Sequence, residues 1–185
     1  RQGTHVDVWL THSAERPARW LRTSGCAGGQ TSVPVHKSAE IPATDEAAWS
    51  PIPIDPLAIL RGMEQLLEAQ DLYRKSGGIH CSALSDGESL RLWAEDIGRH
   101  NTLDKLAGRM ILTGIKISPI LVLTTGRVSS EMLQKSARLG ASVVVSRTSP
   151  TELAVATADA LGIVLGGYAR RNGFTIYTNP KRLTG

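Results

Sequence analysis

The hydrophobic pattern changes character along the chain. Residues 5–10 (HVDVWL) and 17–23 (PARWLRT) have the length and composition of short strands, and the second runs into a glycine-rich stretch, LRTSGCAGGQTS. Residues 27–56 hold few apolar positions among many Pro, Ser, Thr and Gly, which predicts a long flexible loop. Leu57, Leu60, Leu67 and Leu72 then recur at helical spacing up to a Ser76-Gly77-Gly78 stop. IHCSAL and SLRLWAED flank SDGE, whose Asp-Gly pair predicts a hairpin. Residues 101–112 (NTLDKLAGRMIL) read as an amphipathic helix capped by Asn101.

A regular alternation follows. PILVLTT predicts a buried strand, SSEMLQKSARLG a helix ending in glycine, and ASVVVS a second buried strand. SPTELAVATADALG predicts a helix with Ser149 as cap, Pro150 in its first position and Glu152 completing a capping box. IVLGGY and FTIYT complete the set as strands. Continuous apolar strands alternating with helices predict an α/β fold with a mixed, partly parallel sheet. At 185 residues this is expected to be one domain: strands in 1–26 leading to a cysteine, the loop 27–56, and an α/β unit over 57–185.

Composition narrows the function classes. No apolar run approaches the roughly 20 residues that cross a bilayer, so no membrane role is expected. Two cysteines cannot build a disulfide scaffold, and a cytoplasmic protein is expected. Residues 168–185 carry Arg170, Arg171, Lys181 and Arg182 and no acid, leaving 17 basic and 17 acidic residues elsewhere. The whole excess of positive charge therefore lies at the carboxyl end, as a solvated tail or as the mark of an anionic partner. A nucleic-acid binder would show a broader basic face, and none is expected here.

Polar clusters fall at strand ends, where open α/β sheets hold their ligands. AEDIGRHN brings Glu95, Asp96, Arg99, His100 and Asn101 to a strand-to-helix junction. Either Asp96 pairs with Arg99 while Asn101 caps the helix, or His100 faces a ligand and moves a proton near neutral pH. TTGRVSS ends a strand in Gly126-Arg127 and opens a helix at Ser129, which makes a phosphate cradle or simply a capped helix; no GxxxxGK[ST] loop exists. His80, Cys81, His100, Asp96 and Cys26 lack zinc-ligand spacing, so no metal site is expected. His80 and Cys81, adjacent on a strand, should point to opposite faces, with Cys81 the buried one.

Taken together, GGIHCSAL, EDIGRHNTLDKLAG, GRVSSEMLQKSARLG, SRTSPTELAVATADALGIVLGGYAR and IYTNPKRL closely resemble the formate dehydrogenase accessory sulfurtransferase family, FdhD type, over residues 77–183. The resemblance implies a cytidine-deaminase-like three-layer α/β fold without the deaminase zinc, with residues 57–185 as the cofactor-binding domain and the amino-terminal family region absent. It implies a sulfur carrier that moves persulfide sulfur from a cysteine desulfurase to a molybdenum (or tungsten) bis-molybdopterin guanine dinucleotide, bound as substrate. Formate dehydrogenase needs that sulfur; the other reading is a non-catalytic chaperone that only binds and delivers the cofactor. The persulfide would sit on Cys26, in TSGC, with Gly29 where many members carry a second cysteine. His100 would assist the transfer.

The cofactor-binding stretch looks like YARRNG: Tyr168, Ala169, Arg170, Arg171, Asn172 and Gly173. Gly126, Arg127 and Ser129 would face it across a crevice, with GDP as a mimic of the cofactor. A homodimer is expected. A carrier thiol needs access to two partners, and a glycine-rich loop provides it.

Overall fold

The structure, a computed structural model, describes Trp9, residues 11–13, 20–22, 30–32 and 50–184. Strand β1 (Trp20–Arg22) pairs antiparallel with β2 (Gln30–Ser32), Trp20 opposite Ser32. The stretch read as a loop over 27–56 thus contains a strand. Its residues are small and polar, and the pairing is decided by β1 rather than by an apolar pattern of its own. The strand expected over 5–10 lies outside the described residues, Trp9 excepted.

The main body begins with α1 (Pro56–Glu68) and α2 (Asp71–Ser76), followed by β3 (His80–Ser85) and β4 (Leu90–Asp96). Then come α3 (Arg99–Thr113), β5 (Ile120–Thr124), α4 (Ser130–Arg138), β6 (Ala141–Ser146) and α5 (Glu152–Ala160). It closes with β7 (Val164–Arg170), β8 (Gly173–Ile176) and a 3-10 turn at Pro180–Arg182. The six strands β3 to β8 form one mixed sheet in the order β4-β3-β5-β6-β7-β8. Strands β5, β6 and β7 run parallel, and β3, β4 and β8 complete the sheet by antiparallel pairing.

The expected α/β class is what forms, and strand alternation shows why it has three layers. Leu121, Leu123, Val143, Val145 and Val164 face Ile59, Met63 and Leu66 of α1. Val122, Val144 and Leu165 face Leu103 and Leu106 of α3, Met132 and Leu133 of α4, and Ala154 and Ala158 of α5. Both faces of the parallel strands are covered, which is why ILVLT and ASVVVS read as unbroken apolar runs. Helix α1 comes close to the sheet through Gly62, where a Cβ would lie 2.8 Å from Leu123 Cδ1.

Two helix starts differ from the sequence reading, and one expected helix is broken in two. Helix α3 begins at Arg99 with Gly98 as cap, not at Asn101. The Asp96 carboxylate accepts from the Gly98 amide at 2.8 Å and Asn101 Nδ2 at 2.9 Å, so Asn101 serves the turn from inside the helix. Helix α5 is capped by Thr151, whose hydroxyl accepts from the Ala154 amide, rather than by Ser149. Ser149 and Pro150 are instead used in a parallel bridge to Val128, with Val128 N donating to Ser149 O and Thr151 N to Val128 O. The leucine-spaced helix breaks after Glu68 and resumes as α2, which stops at Gly77 with φ 71°, as the glycine pair predicted.

The carboxyl end is tied down. Ile52 bridges Leu183, and the Arg182 guanidinium donates to Ser50 O and Gly162 O. Arg182 therefore serves the fold, and the basic surface at this end is narrower than the charge count implied.

Candidate functional site

The parallel strands end on one edge of the sheet, and three loops are knitted together there. The Thr125 amide donates to Cys81 O at 2.9 Å, and Cys81 N donates to Thr125 Oγ1 at 3.0 Å. The Gly126 amide donates to Thr124 Oγ1, and its carbonyl accepts from Ser146 Oγ at 2.7 Å. The Arg147 amide donates to Thr124 O, and the Tyr168 amide to Thr148 O. The Ser82 hydroxyl lies 2.6 Å from Thr102 Oγ1 and 2.9 Å from Thr124 Oγ1, fixing the first turn of α3 against β3 and β5. These bonds hold the loop backbones as firmly as the strands that feed them.

Over this edge lies a cleft of about 620 Å³ between α2 and the strand ends. His80 and Thr125 are at its base, Arg74 is on one wall, and Arg147, Thr148 and Arg170 are on the other. A second cleft of about 540 Å³ shares Arg147 and Arg170 and adds Arg171. The Arg170 guanidinium bonds to Arg147 O and, at 3.0 Å, to Ala169 O, so it is held at the boundary of both clefts. Tyr168, two residues before it, has φ 53°. A left-handed conformation in a residue with a Cβ costs about 1–2 kcal/mol. It coincides with the irregular register between Gly167 and Arg170, which redirects the strand end.

Gly126 lies at close quarters with both Arg99 and His80. A Cβ on Gly126 would come within 2.9 Å of Arg99 Cβ and 3.4 Å of His80 Nδ1. Arg99 Nε is buried and has no hydrogen-bond partner among the described residues. Leaving a buried donor unsatisfied costs about 1–3 kcal/mol. Burial, followed by the charges of Arg99 and Arg127, holds the His80 imidazole below the ordinary histidine range. His80 thus lines the cleft next to two arginines, one of which keeps a buried donor unsatisfied.

A family model described as the FdhD/NarQ family matches residues 2–184. The chain belongs to the FdhD/NarQ family. Among its relatives, the sulfur carrier protein FdhD of Bacillus subtilis (strain 168) is 42% identical over 140 residues, 76% of this chain and 53% of that protein. The sulfur carrier protein FdhD of Staphylococcus aureus (strain JH9) is 38% identical over 160 residues, 86% of this chain and 59% of that protein. This chain spans a little over half the length of these curated relatives. A crystal structure of a candidate formate dehydrogenase accessory protein from Desulfotalea psychrophila matches with TM-score 0.66 at 30% identity, covering 75% of this chain and 61% of that one.

In this FdhD/NarQ chain the candidate residues are distributed unevenly about the clefts. Cys26 lies in the segment joining β1 to β2, outside the described residues. Cys81 is fully buried, and burial, then the Glu95 charge, pushes its thiol up to about 12. Arg170 lines both clefts and Arg171 the second, where its side chain is exposed and 3.8 Å from Glu64. Asn172 lies in the two-residue turn of the β7–β8 hairpin, Gly173 opens β8 opposite Arg170, and Ala169 packs in the core. Gly126 is the point of close approach, Arg127 is exposed beside it, and Ser129 caps α4 by accepting from the Met132 amide at 3.4 Å.

His100 follows Arg99 in the first turn of α3 and is not among the residues lining either cleft. Burial, then Arg99 and Lys135, holds its imidazole low, against the opposing charges of Glu131 and Asp104. Sequence reasoning passed over His80, Arg147 and Arg74 as cleft residues. The signal for two of them was present. Arg147 follows a buried strand as Arg127 does, and His80 opens its strand at the ligand-bearing edge.

Proposed function

We propose that this chain is the sulfur carrier of a formate dehydrogenase maturation route, with Cys26 as its working thiol. One observation supports the thiol assignment above others. The chain has two cysteines, and Cys81 is buried with its thiol pushed up to about 12, so Cys26 is left to supply a thiolate near neutral pH. Cys26 attacks the outer sulfur of a cysteine desulfurase persulfide; a sulfur–sulfur bond forms at Cys26, and the desulfurase thiolate leaves.

Passing that sulfur on as sulfide requires two electrons. A second cysteine would furnish them by closing a disulfide, but Gly29 stands where many members carry it, so an external thiol supplies the electrons and is oxidised. The acceptor, a molybdenum or tungsten bis-molybdopterin guanine dinucleotide, is bound as substrate at the arginine-lined clefts. Arg147 and Arg170 hold its pyrophosphate charge, and Gly126 lets Arg99 and His80 pack close to the loop backbone. His100, which does not line the clefts, acts on transfer through Arg99 beside it.

Gly29 also supports a second reading, a chaperone that delivers the cofactor without sulfur chemistry. Sulfur-labelled cysteine, a desulfurase and desulfo formate dehydrogenase separate the two. Label should reach the dehydrogenase cofactor through the wild-type chain and not through Cys26→Ala. Equal delivery by both would leave the chaperone.

A further inference from the structure

We propose that His80, Arg99 and Arg127, gathered around Gly126, form a subsite for a tetrahedral oxyanion, and that the imidazole gains a proton from solvent as the anion enters. This deepens the reading above by adding a subsite and its proton linkage. It rests on the cleft as an anion site and not on sulfur chemistry at Cys26.

The geometry supplies a buried donor with nothing to receive it. Arg99 Nε is buried without a partner among the described residues, and Gly126 carries no side chain between it and His80. His80 lines the cleft and Arg99 packs beside it at Gly126, so a guanidinium and an imidazole stand together as groups that match the oxygens of a phosphate or sulfate group. Thr125, on the same cleft floor, adds a residue next to the Gly126 amide.

The charges facing His80 from each packed element explain the linkage. Arg99 on α3 and Arg127 in the β5–α4 loop act on it directly, and Arg74, Arg147 and Arg170 line the same cleft with the Tyr73 phenol. The carboxylates nearby are already engaged. Asp96, cross-strand from His80, is held by the Lys105 ammonium at 2.6 Å, Asn101 and the Gly98 amide. Glu95 accepts the Leu72 and Tyr73 amides at 2.9 Å. Glu131 in α4, which faces Arg99, is held by the Ser129 hydroxyl and its own backbone amide. Burial first, and then Arg99 and Arg127, hold the empty-site imidazole low and favour its neutral form. A doubly negative group beside it reverses the local field and favours the imidazolium.

Histidine NMR of the full chain tests this, with His80 assigned by the loss of its signals in His80→Gln. Sulfate is the bare-oxyanion probe because it does not itself titrate near neutrality, GDP is the nucleotide-borne phosphate, and guanosine is the control. Saturating sulfate or GDP should raise the His80 protonation constant by about tenfold or more, the effect of one opposite charge within about 4–6 Å. Guanosine should leave it unchanged. A response to GDP alone assigns the subsite to phosphate carried by a nucleotide, and a response to sulfate alone assigns it to a free oxyanion.

Arg127→Gln, at an exposed position, should raise the empty-site constant and shrink the response. Cys26→Ala should change neither, so loss of sulfur transfer and loss of this subsite are separable. A His80 signal indifferent to both sulfate and GDP, or protonated at neutral pH before either is added, overturns the proposal.

Discussion

Gly126 and Arg99 lie so close that a methyl group on the glycine would sit 2.9 Å from Arg99 Cβ. The contact brings a loop at the end of β5 against the first turn of α3. Arg99 Cβ is backbone-proximal, so it cannot swing away as the end of a long side chain could. Gly126→Ala should therefore cost about 1–3 kcal/mol through local overpacking and backbone shift. The same substitution should weaken GDP binding, since it moves Arg99 and His80 together. Denaturant midpoints and calorimetry check the two effects, and unchanged values for both would show that the loop accommodates a side chain.

Arg147 and Arg170 bound both clefts, yet their removal should have different consequences. Arg170 donates to Arg147 O and Ala169 O, so Arg170→Ala frees the β6–α5 loop as well as removing a charge. Arg147→Ala removes only its side chain from the cleft wall. Each should weaken GDP binding by about 1–3 kcal/mol if the guanidinium bonds phosphate, and the effect should diminish as salt is raised. Wild-type affinity in both variants would remove these arginines from the binding surface.

The pH dependence of stability follows from two histidines held low and from carboxylates held low. Burial, reinforced by Arg99 in each case, keeps folded His80 and His100 neutral where unfolded histidine, at about 6.5, takes up a proton. As pH falls below that value the unfolded state binds more protons, so stability declines until the folded imidazoles also titrate. For Asp96, burial opposes ionisation, but the Lys105 ammonium, the Gly98 amide and Asn101 outweigh it and keep the carboxyl below its ordinary value. That contribution is present above the ordinary carboxylate range and is lost as pH drops through the lowered folded value. Melting temperature should fall in two steps, and His80→Gln should reduce the first while leaving the second. A variant profile parallel to wild type from pH 7 to 5.5 would contradict this.

The parts of the fold that were legible are those in which residue type and burial agree. ILVLT and ASVVVS could be placed because β-branched and leucine runs of that length are buried on both faces. Strand β2 was not legible, since Gln30–Ser32 has no apolar signal and exists by pairing with β1. The left-handed residue of β7 is Tyr168, although Gly166 and Gly167 precede it; the Tyr168 amide bond to Thr148 O accompanies that choice.

The candidate site was legible in part: Gly126 was read from a strand end carrying glycine and arginine, and Arg170 from the charge excess and the family resemblance. His80 was missed because the argument from alternating strand faces says nothing about a residue at the open end of a strand. Arg99 was seen as a partner for Asp96, whereas Asp96 is engaged by Gly98, Asn101 and Lys105.

The most direct measurement is mapping of the persulfide by tandem mass spectrometry. The full chain is incubated with a cysteine desulfurase and cysteine, free thiols are blocked, and each cysteine peptide is read separately. One additional sulfur atom is expected on Cys26, with Cys81 unmodified and unreactive to the blocking reagent until the protein is unfolded. Cys26→Ala should accept no sulfur while remaining folded. An extra sulfur on Cys81, or none on Cys26 after full turnover of the desulfurase, would contradict the assignment of Cys26 as the carrier.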